Sequence, residues 1–460
     1  LILLICLGAV TLFSLVGIRL KFDAMPDITN NQVLILTRAP GLSPEEVERL
    51  LTRPIEVAIG GLPGLIEQRS ISRFGISSVT AVFDDDIPVL QARQVLSERL
   101  TGLDLPSQAE RPQLGPITGG LGEIFHIAVT SAQRTPRELL ELSLLRIAPR
   151  LRLVPGVVEV NSWGGQERTL DVRVDPLRLS ARKLTLQKTR EALSSSIGSV
   201  AGTALPAGAG QALLRGTFFP QSPSELGGLL VGVEPGDVVR PLRVSDVAEV
   251  REGAQPRLGA STRNGQGETV YLMAQMLRGE NALEVMSGLK LRMQEVEEAL
   301  PRDVKVELIY DRSHLVLGTL RTVGVNLLEG AGLVLLVLML LLGSWRAALL
   351  TALAIPLSML GAAVGMVAFG IPGNLMSLGA LDFGLLVDGS VVMVEHLFHR
   401  LDGSAGYDRA SWQHAVGNAC REVAQPVLFS VMIILLVYVP VLTLGGVEGK
   451  MFRPMAATVV

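Results

Sequence analysis

Apolar and polar positions follow two different rhythms along this chain. Residues 1–19 form an uncharged apolar run up to Arg19, close to the ~20 residues that a helix needs to cross a hydrocarbon core. From residue 20 to about 320 the pattern breaks into short β-branched runs, such as Val33-Leu34-Ile35-Leu36 and Ser78-Val79-Thr80-Ala81-Val82-Phe83, separated by charged stretches with helical spacing. After Tyr310 long apolar runs return, roughly over 323–343, 347–370, 374–398 and 426–446, and a last one opens near Pro454. The pattern predicts a transmembrane helix at 1–19, an aqueous α+β region over 20–322, and transmembrane helices two to six over 323–460, the last incomplete.

Within the aqueous region, Ser43-Pro44-Glu45-Glu46 places an N-cap, a proline at the first helical position and acidic residues in the first turn, so a helix starts there. Residues 136–154 and Thr185 to Ile197 have helical spacing, while Val157 to Val160 and Leu170 to Val174 alternate like strands. Recurring βαβ units of this kind predict split ferredoxin-like subdomains. The stretch 202–235, rich in Gly, Pro and Ser, is expected to be a projecting hairpin or loop within the second unit.

Composition narrows the class. A hydrophobic share of 48% over 460 residues is too high for an ordinary soluble protein, and a net charge of −3 offers no basic surface for nucleic acid. Cys6 and Cys420 lie too far apart in the chain, and in too different surroundings, to suggest a disulfide framework. Basic residues in short connections set the topology: Arg346 marks one cytoplasmic turn, and Arg400, Arg409 and Arg421 mark another. The turn at Ile371-Pro372-Gly373 and the large aqueous region then face outward. Lys450 and Arg453 fall on that outward side, against the rule.

The fourth apolar run carries the chemistry. It holds Asp382, Asp388 and Glu395 in a single span, at a cost of about 2.5–3.5 kcal/mol for each acid near the membrane centre. Asp388 and Glu395, seven residues apart, lie within about 20° of one helical face but roughly 10 Å apart along it, whereas Asp382 points about 120° away from Asp388. They cannot hydrogen-bond directly, so a proton path through them needs waters or a cation from another helix. Buried carboxyls whose pKa rises with desolvation and falls when a cation approaches are what proton coupling requires. Gly384 and Gly389 would let a partner helix come close. The bland alternative is that the acids are interhelical polar pairs, or that Glu395 sits at the cytoplasmic interface.

The run Leu381-Asp382-Phe383-Gly384 … Asp388-Gly389-Ser390 … Glu395-His396 resembles the fourth-helix pattern Asp-Phe-Gly … Asp-Gly-Ala … Glu-Asn of the heavy-metal efflux branch of the resistance-nodulation-division superfamily. Ser390 replaces the pattern's alanine and His396 its asparagine. Met25-Pro26-Asp27-Ile28-Thr29-Asn30, Ala39-Pro40-Gly41-Leu42-Ser43-Pro44-Glu45-Glu46, Asn374-Leu375-Met376-Ser377-Leu378-Gly379-Ala380 and Gly446-Val447-Glu448-Gly449-Lys450-Met451-Phe452 are similar to further segments of that branch. The resemblance covers nearly the whole chain, which is expected to be the amino-terminal half of such a protein. It implies a homotrimer in the bacterial inner membrane with periplasmic porter subdomains and a docking insertion near 202–235, a periplasmic adaptor protein, and an outer-membrane channel. It also implies no cofactor, proton transfer at Asp382, Asp388 and Glu395 with a lysine from the second half, and a metal cation as cargo rather than a reaction product.

Glu123 and Glu159 resemble positions where zinc-type relatives place carboxylate ligands. His126, three residues along a regular strand from Glu123, is expected on the opposite face and so is a poor co-ligand. Asp84-Asp85-Asp86 is expected to be a solvated turn. Met273 and Met276 are expected on opposite faces of a strand, and Met286 and Met293 in the core. No thioether cluster suited to Cu(I) or Ag(I) is visible, and Asp382 favours a harder divalent cation of the zinc, cobalt, nickel or cadmium class. Gly449-Lys450-Met451 does not complete a phosphate-binding loop, which leaves an ion gradient as the energy source. The rival readings are a drug or amphiphile exporter of the same superfamily, against which an aromatic share of 4% argues mildly, and a non-transporting receptor or scaffold.

Asp388→Asn discriminates between relay and scaffold. The relay reading expects loss of proton-coupled transport by the full-length protein in a resistance or proton-flux assay, and retained transport assigns Asp388 a structural role.

Overall fold

The computed structural model describes residues 8, 11, 20–23, 25–207, 210–234, 240–257, 259–374, 376–377, 383–401 and 409–460. The expected first membrane helix falls almost wholly outside them.

The first aqueous unit contains β1 (Asn31–Arg38), helix α1 (44–59), β2 (Leu65–Arg73), β3 (Ile76–Phe83), α2 (Val89–Thr101) and the short β4 (Gln113–Leu114). Its strands pair in the order β2-β3-β1-β4, all antiparallel, which is the ferredoxin-like arrangement. The Ser43 hydroxyl accepts from the Glu46 N–H while the Glu46 carboxylate accepts from the Ser43 N–H, so α1 opens on a full capping box with Pro44 just inside it. Val47, Leu51, Ile55 and Ile59, four residues apart, form the buried stripe of α1. Ile55 and Ile59 join Val33, Ile35, Val79, Ala81, Phe83 and Leu96 in one core.

The second unit repeats the plan with β5 (Thr118–Ser131), α3 (136–152), β6 (Val157–Trp163), β14 (Glu268–Leu277), α8 (Ala282–Ala299) and β15 (Val304–Asp311). Here the order is β15-β5-β14-β6, again antiparallel. α3 begins as α1 does, with Thr135 and Glu138 in a capping box around Pro136. Phe125, Ile127, Leu139, Ile147, Leu151, Leu272, Met286 and Leu289 fill the core between sheet and helices, with Met293 and Met276 at its margin. Met273 lies outside that core, on the face opposite Met276, as the alternation predicts.

Between β6 and β14 the chain leaves the sheet for residues 164–267. This excursion is longer than the Gly-, Pro- and Ser-rich stretch that marks it in the sequence. It contains β7 (Arg168–Val174), α4 (Pro176–Ala181), α5 (Leu186–Ser196), the hairpin β8 (Gly198–Ala207) and β9 (Gly210–Phe218), α6 (Pro223–Gly227), the pair β10 (Leu230–Glu234) and β11 (Arg240–Arg243), α7 (Val244–Val247), β12 (Ala248–Ala254) and β13 (Ser261–Thr262). β12 pairs back on β7, and Leu179, Val231, Leu242, Val244 and Val247 give the excursion a small core of its own.

β15 runs into α9 (Arg312–Leu342) without a linker: Asp311 ends the strand and its carboxylate caps the helix by accepting from the Ser313 N–H at 2.8 Å. The helix therefore starts well before the apolar run at 323, because its first turns are held by the aqueous unit. After α10 (Trp345–Ala352) and α11 (Ala354–Phe369) come α12 (Phe383–Leu401), α13 (Arg409–Leu442) and α14 (Gly446–Val459). Among the described residues, three segments are long and apolar enough to cross a membrane: Arg312–Leu341, Trp345–Phe369 and Trp412–Leu442. α12 is 19 residues long and carries Asp388, Glu395 and Arg400. α14 begins at Gly446, not near Pro454. Gly445 is extended and acts as its N-cap, and Pro454 lies inside the helix. The turn after α11 is zipped to the chain leaving the first apolar run: Asp23 N–H donates to the Gly373 carbonyl at 3.0 Å and Gly373 N–H to the Lys21 carbonyl at 2.9 Å.

Gly164 and Gly165, both at positive φ, turn the chain out of β6 into the excursion. A Cβ on Gly164 would stand 2.2 Å from the Ser261 hydroxyl and 2.6 Å from the Thr269 carbonyl oxygen. Gly164→Ala should destabilise the full-length protein by about 2 kcal/mol or more, read as a lower thermal midpoint in detergent, while Gly102→Ala, with open space around it, should leave the midpoint nearly unchanged.

Candidate functional site

The face of the second sheet opposite α3 and α8 gathers polar residues. Gln275 on β14 pairs in register with Glu123 on β5 and with Glu159 on β6, so the three side chains form a row on one face. Glu123 and Glu159 are two strand spacings apart at the backbone, about 10 Å, a span that two glutamate side chains can close over a shared cation.

His126 corrects the strand-alternation expectation. It lies on the same face as Glu123, with its Nε2 3.7 Å from the Glu123 carboxylate. The reason is a β-bulge: Ala274 pairs with Phe125 but Gln275 pairs with Glu123, so Ile124 is an extra residue and the alternation inverts there. Ile124 and Phe125 are accordingly both buried in sequence.

The His126 ring is held by Tyr271, whose hydroxyl lies 2.7 Å from Nδ1, and by Tyr310, 4.9 Å away between ring centroids. Its Nε2 is buried and makes no hydrogen bond among the described residues. Burial pushes the His126 pKa below its ordinary value, and the neighbouring Glu123 carboxylate only partly opposes this. Burial, and then the Glu123 charge, raise the Tyr271 phenol, which stays protonated. The Tyr271 hydroxyl can donate to Nδ1 or accept from it; in the tautomer whose Nδ1–H donates to Tyr271, Nε2 presents a lone pair beside a carboxylate. A neutral imidazole oriented from behind, with a carboxylate oxygen next to it, is a donor set that zinc-like divalent cations take. Among the described residues no three His, Cys, Asp or Glu side chains stand close enough to hold an ion as they are placed.

The second cluster lies on α12. Asp388 and Glu395 are exposed, and neither pairs with a described basic side chain. Asp382 and the side-chain surroundings of Gly384 lie outside the described residues. At Gly389 a Cβ would stand 3.2 Å from a Val427 methyl carbon, so α12 and α13 approach closely there. His396 follows Glu395, about 100° round the helix; its Nε2 lies 3.1 Å from a Glu422 oxygen on α13, and Arg400 lies 3.6 Å from the other oxygen. Sequence reasoning noted His396 only as a departure from a pattern. Glu422 carried no signal beyond its place beside Arg421.

Long apolar helices, the acid-bearing α12 beside them and two ferredoxin-like units define a membrane protein with a large aqueous region. The chain belongs to the AcrB/AcrD/AcrF family of resistance-nodulation-division transporters, whose signature matches residues 1–460. It is 43% identical over 464 residues to Protein HelA of Legionella pneumophila, an alignment covering 96% of this chain and 43% of that protein. It is 41% identical over 457 residues to the cobalt-zinc-cadmium resistance protein CzcA of Cupriavidus metallidurans, with the same coverage. A crystal structure of a heavy metal efflux pump superposes with a TM-score of 0.89 at 36% identity, covering 100% of this chain and 45% of that one. The chain thus spans less than half the length of the relatives it matches.

The depressed His126 pKa has a definite sign in stability. The unfolded chain binds a proton near pH 6.5 and the folded one only at lower pH, so the contribution is full above about 6.5 and is lost as pH falls through the folded value. Unfolding midpoints of wild type and His126→Asn should therefore run parallel above that pH and converge or cross below it.

Proposed function

We propose that this chain forms part of a proton-driven exporter of divalent heavy-metal cations of the zinc, cobalt, nickel or cadmium class, acting in the bacterial inner membrane. The reading includes a homotrimer, a periplasmic adaptor protein and an outer-membrane channel as partners. The observation that carries it is the bulged strand β5, which turns Glu123 and the unpartnered nitrogen of His126 to the face where Gln275 and Glu159 stand. Oxygen and imidazole donors, without a thiolate, suit borderline divalent cations better than Cu(I) or Ag(I). The similarity to a protein named for cobalt, zinc and cadmium resistance supports the same class.

In this reading a cation from the periplasm settles between Glu123 and Glu159, with His126 as the neutral donor. Asp382, Asp388 and Glu395 carry the protons that drive its release. Protonating a carboxyl on α12 removes a charge whose solvation fixes how the helix packs, which shifts the preferred packing against α13 at Gly389. Gly384 and Gly389 give that packing its freedom. The insertion near 202–235, which takes in most of the β8–β9 hairpin, is the docking element for the outer components.

The full-length protein in a metal-sensitive host should protect against zinc, cobalt, nickel or cadmium and not against copper or silver. Glu123→Gln and Glu159→Gln should each weaken binding of the protected metal by at least about tenfold, measured by titration of the purified protein. Protection against dyes or detergents with none against any metal would sink the export reading.

A further inference from the structure

Lys450, which breaks the basic-residue rule for topology, is not solvated. Its ammonium lies 2.6 Å from a carboxylate oxygen of Asp85, in the turn after β3, and 3.0 Å from the carbonyl oxygen of Thr29, with only 17% of the side chain exposed. The Asp84-Asp85-Asp86 turn is therefore not merely solvated: Asp85 is the anchor for a membrane-side helix. The same Thr29 carbonyl accepts from Arg278 at 3.1 Å, and Arg278 also pairs with Asp27 at 2.6 Å. Arg278 directly follows β14 of the second unit. The segment 27–30 is thus a joint at which the first unit, the second unit and α14 converge on a few hydrogen bonds.

The other end of α14 is also tied. The buried Thr458 hydroxyl donates to the Ser377 carbonyl at 3.1 Å. Ser377 is itself fixed by Asn374, whose side-chain oxygen accepts from the Ser377 N–H at 2.8 Å while the Ser377 hydroxyl accepts from the Asn374 N–H at 2.9 Å. In the sequence this segment precedes α12 by a few residues. From Lys450 to Thr458 the helix is about 12 Å long; Pro454 lies inside this stretch and leaves the Lys450 carbonyl without its usual intrahelical donor, yet the helix runs on to Val459. Beside the joint a cavity of about 340 Å³ opens between Phe22, Asp27, Arg278, Arg312 and Ile371. The contacts of Lys450, Asp85, Thr29, Arg278 and Asp27 at the joint are polar, so the parts can shift by exchanging them.

We propose that α14 is a coupling strut: Thr458 follows the segment entering the acid-bearing helix, and Lys450 passes its displacement to the first unit through Asp85 and to the second through Thr29 and Arg278. The inference rests on the export reading for its purpose, and names Lys450 and Asp85 as positioning residues rather than proton or metal carriers.

The test uses the full-length protein in proteoliposomes. Lys450→Met and Asp85→Asn should each lower proton-driven metal transport about tenfold, the scale of a typical coupling between sites, while metal affinity and thermal midpoint stay within about twofold and a few degrees of wild type. Lys450→Arg should keep most of the rate, and the exchanged pair Lys450→Asp with Asp85→Lys should recover part of what either single change loses. Wild-type rates in Lys450→Met, or a rate loss matched by lost metal affinity, would overturn the strut. Should Lys450→Met fail to fold, Asp85→Asn decides alone, since its side chain sits in an exposed turn outside the bundle. A wild-type protein that moves no metal would overturn the export reading instead. The strut is then read from spin labels at Glu98 and Gln294: their distance should change on acidification in wild type and not in Lys450→Met.

Discussion

β14 is hydrogen-bonded on both edges, to β5 and to β6, although the chain leaves the sheet for residues 164–267 just before it. Closing so long a loop costs little more than closing a short one, because the entropy grows only with the logarithm of its length. The excursion also carries its own core around Leu242, Val244 and Val247, and touches the sheet through the short β13, which pairs with β14. What the sheet needs is that β14 returns in register. If it does, Gln275 falls between Glu123 and Glu159, Arg278 reaches the segment 27–30, and β15 is placed to enter the membrane. A slip of one residue would turn every one of those side chains to the other face.

The two aqueous units share strand order and the way their first helix begins, yet they connect to the membrane differently. The second is continuous with α9 through Asp311 and Arg312, and Arg312 is also paired with Asp23 at 2.7 Å. The first touches the membrane side through Lys450 and Asp85. The second unit passes straight from strand into helix, whereas the first is joined by the segment 20–30 and by the Lys450–Asp85 contact. Relative movement between the units is then a matter of exchanging polar contacts, which costs little, and not of opening a packed core.

Much of this fold was legible because it is local. The capping box at Ser43, the buried stripe of α1 and the period-two alternation of β1 and β3 are written in neighbouring residues. So is the matching box at Thr135-Pro136-Arg137-Glu138. The site was less legible. One extra residue at Ile124 reverses the facing of everything on one side of it, and neither β-branched composition nor hydrophobic pattern marks such a bulge; the glycines at 119, 120 and 122 were the only hint. The apolar run that opens near Pro454 marks only the second half of α14, because the helix already starts at Gly446 with the polar Glu448, Lys450 and Arg453 in its first turns. The partners of Lys450 come from the far end of the chain, and a rule that counts charges in loops has no access to them.

The absence of a linker between β15 and α9 sets a length scale for motion. α9 has 31 residues and is about 46 Å long, so a tilt of about 5° displaces one end by roughly 4 Å. That is more than one residue's rise along a strand, about 3.3 Å, and the β15–β5 pairing cannot absorb it without losing register. A rocking helix must therefore carry the whole second sheet with it, as a rigid lever carries its load. The row of side chains on that sheet's open face would sweep through several ångströms for a tilt too small to notice in the bilayer.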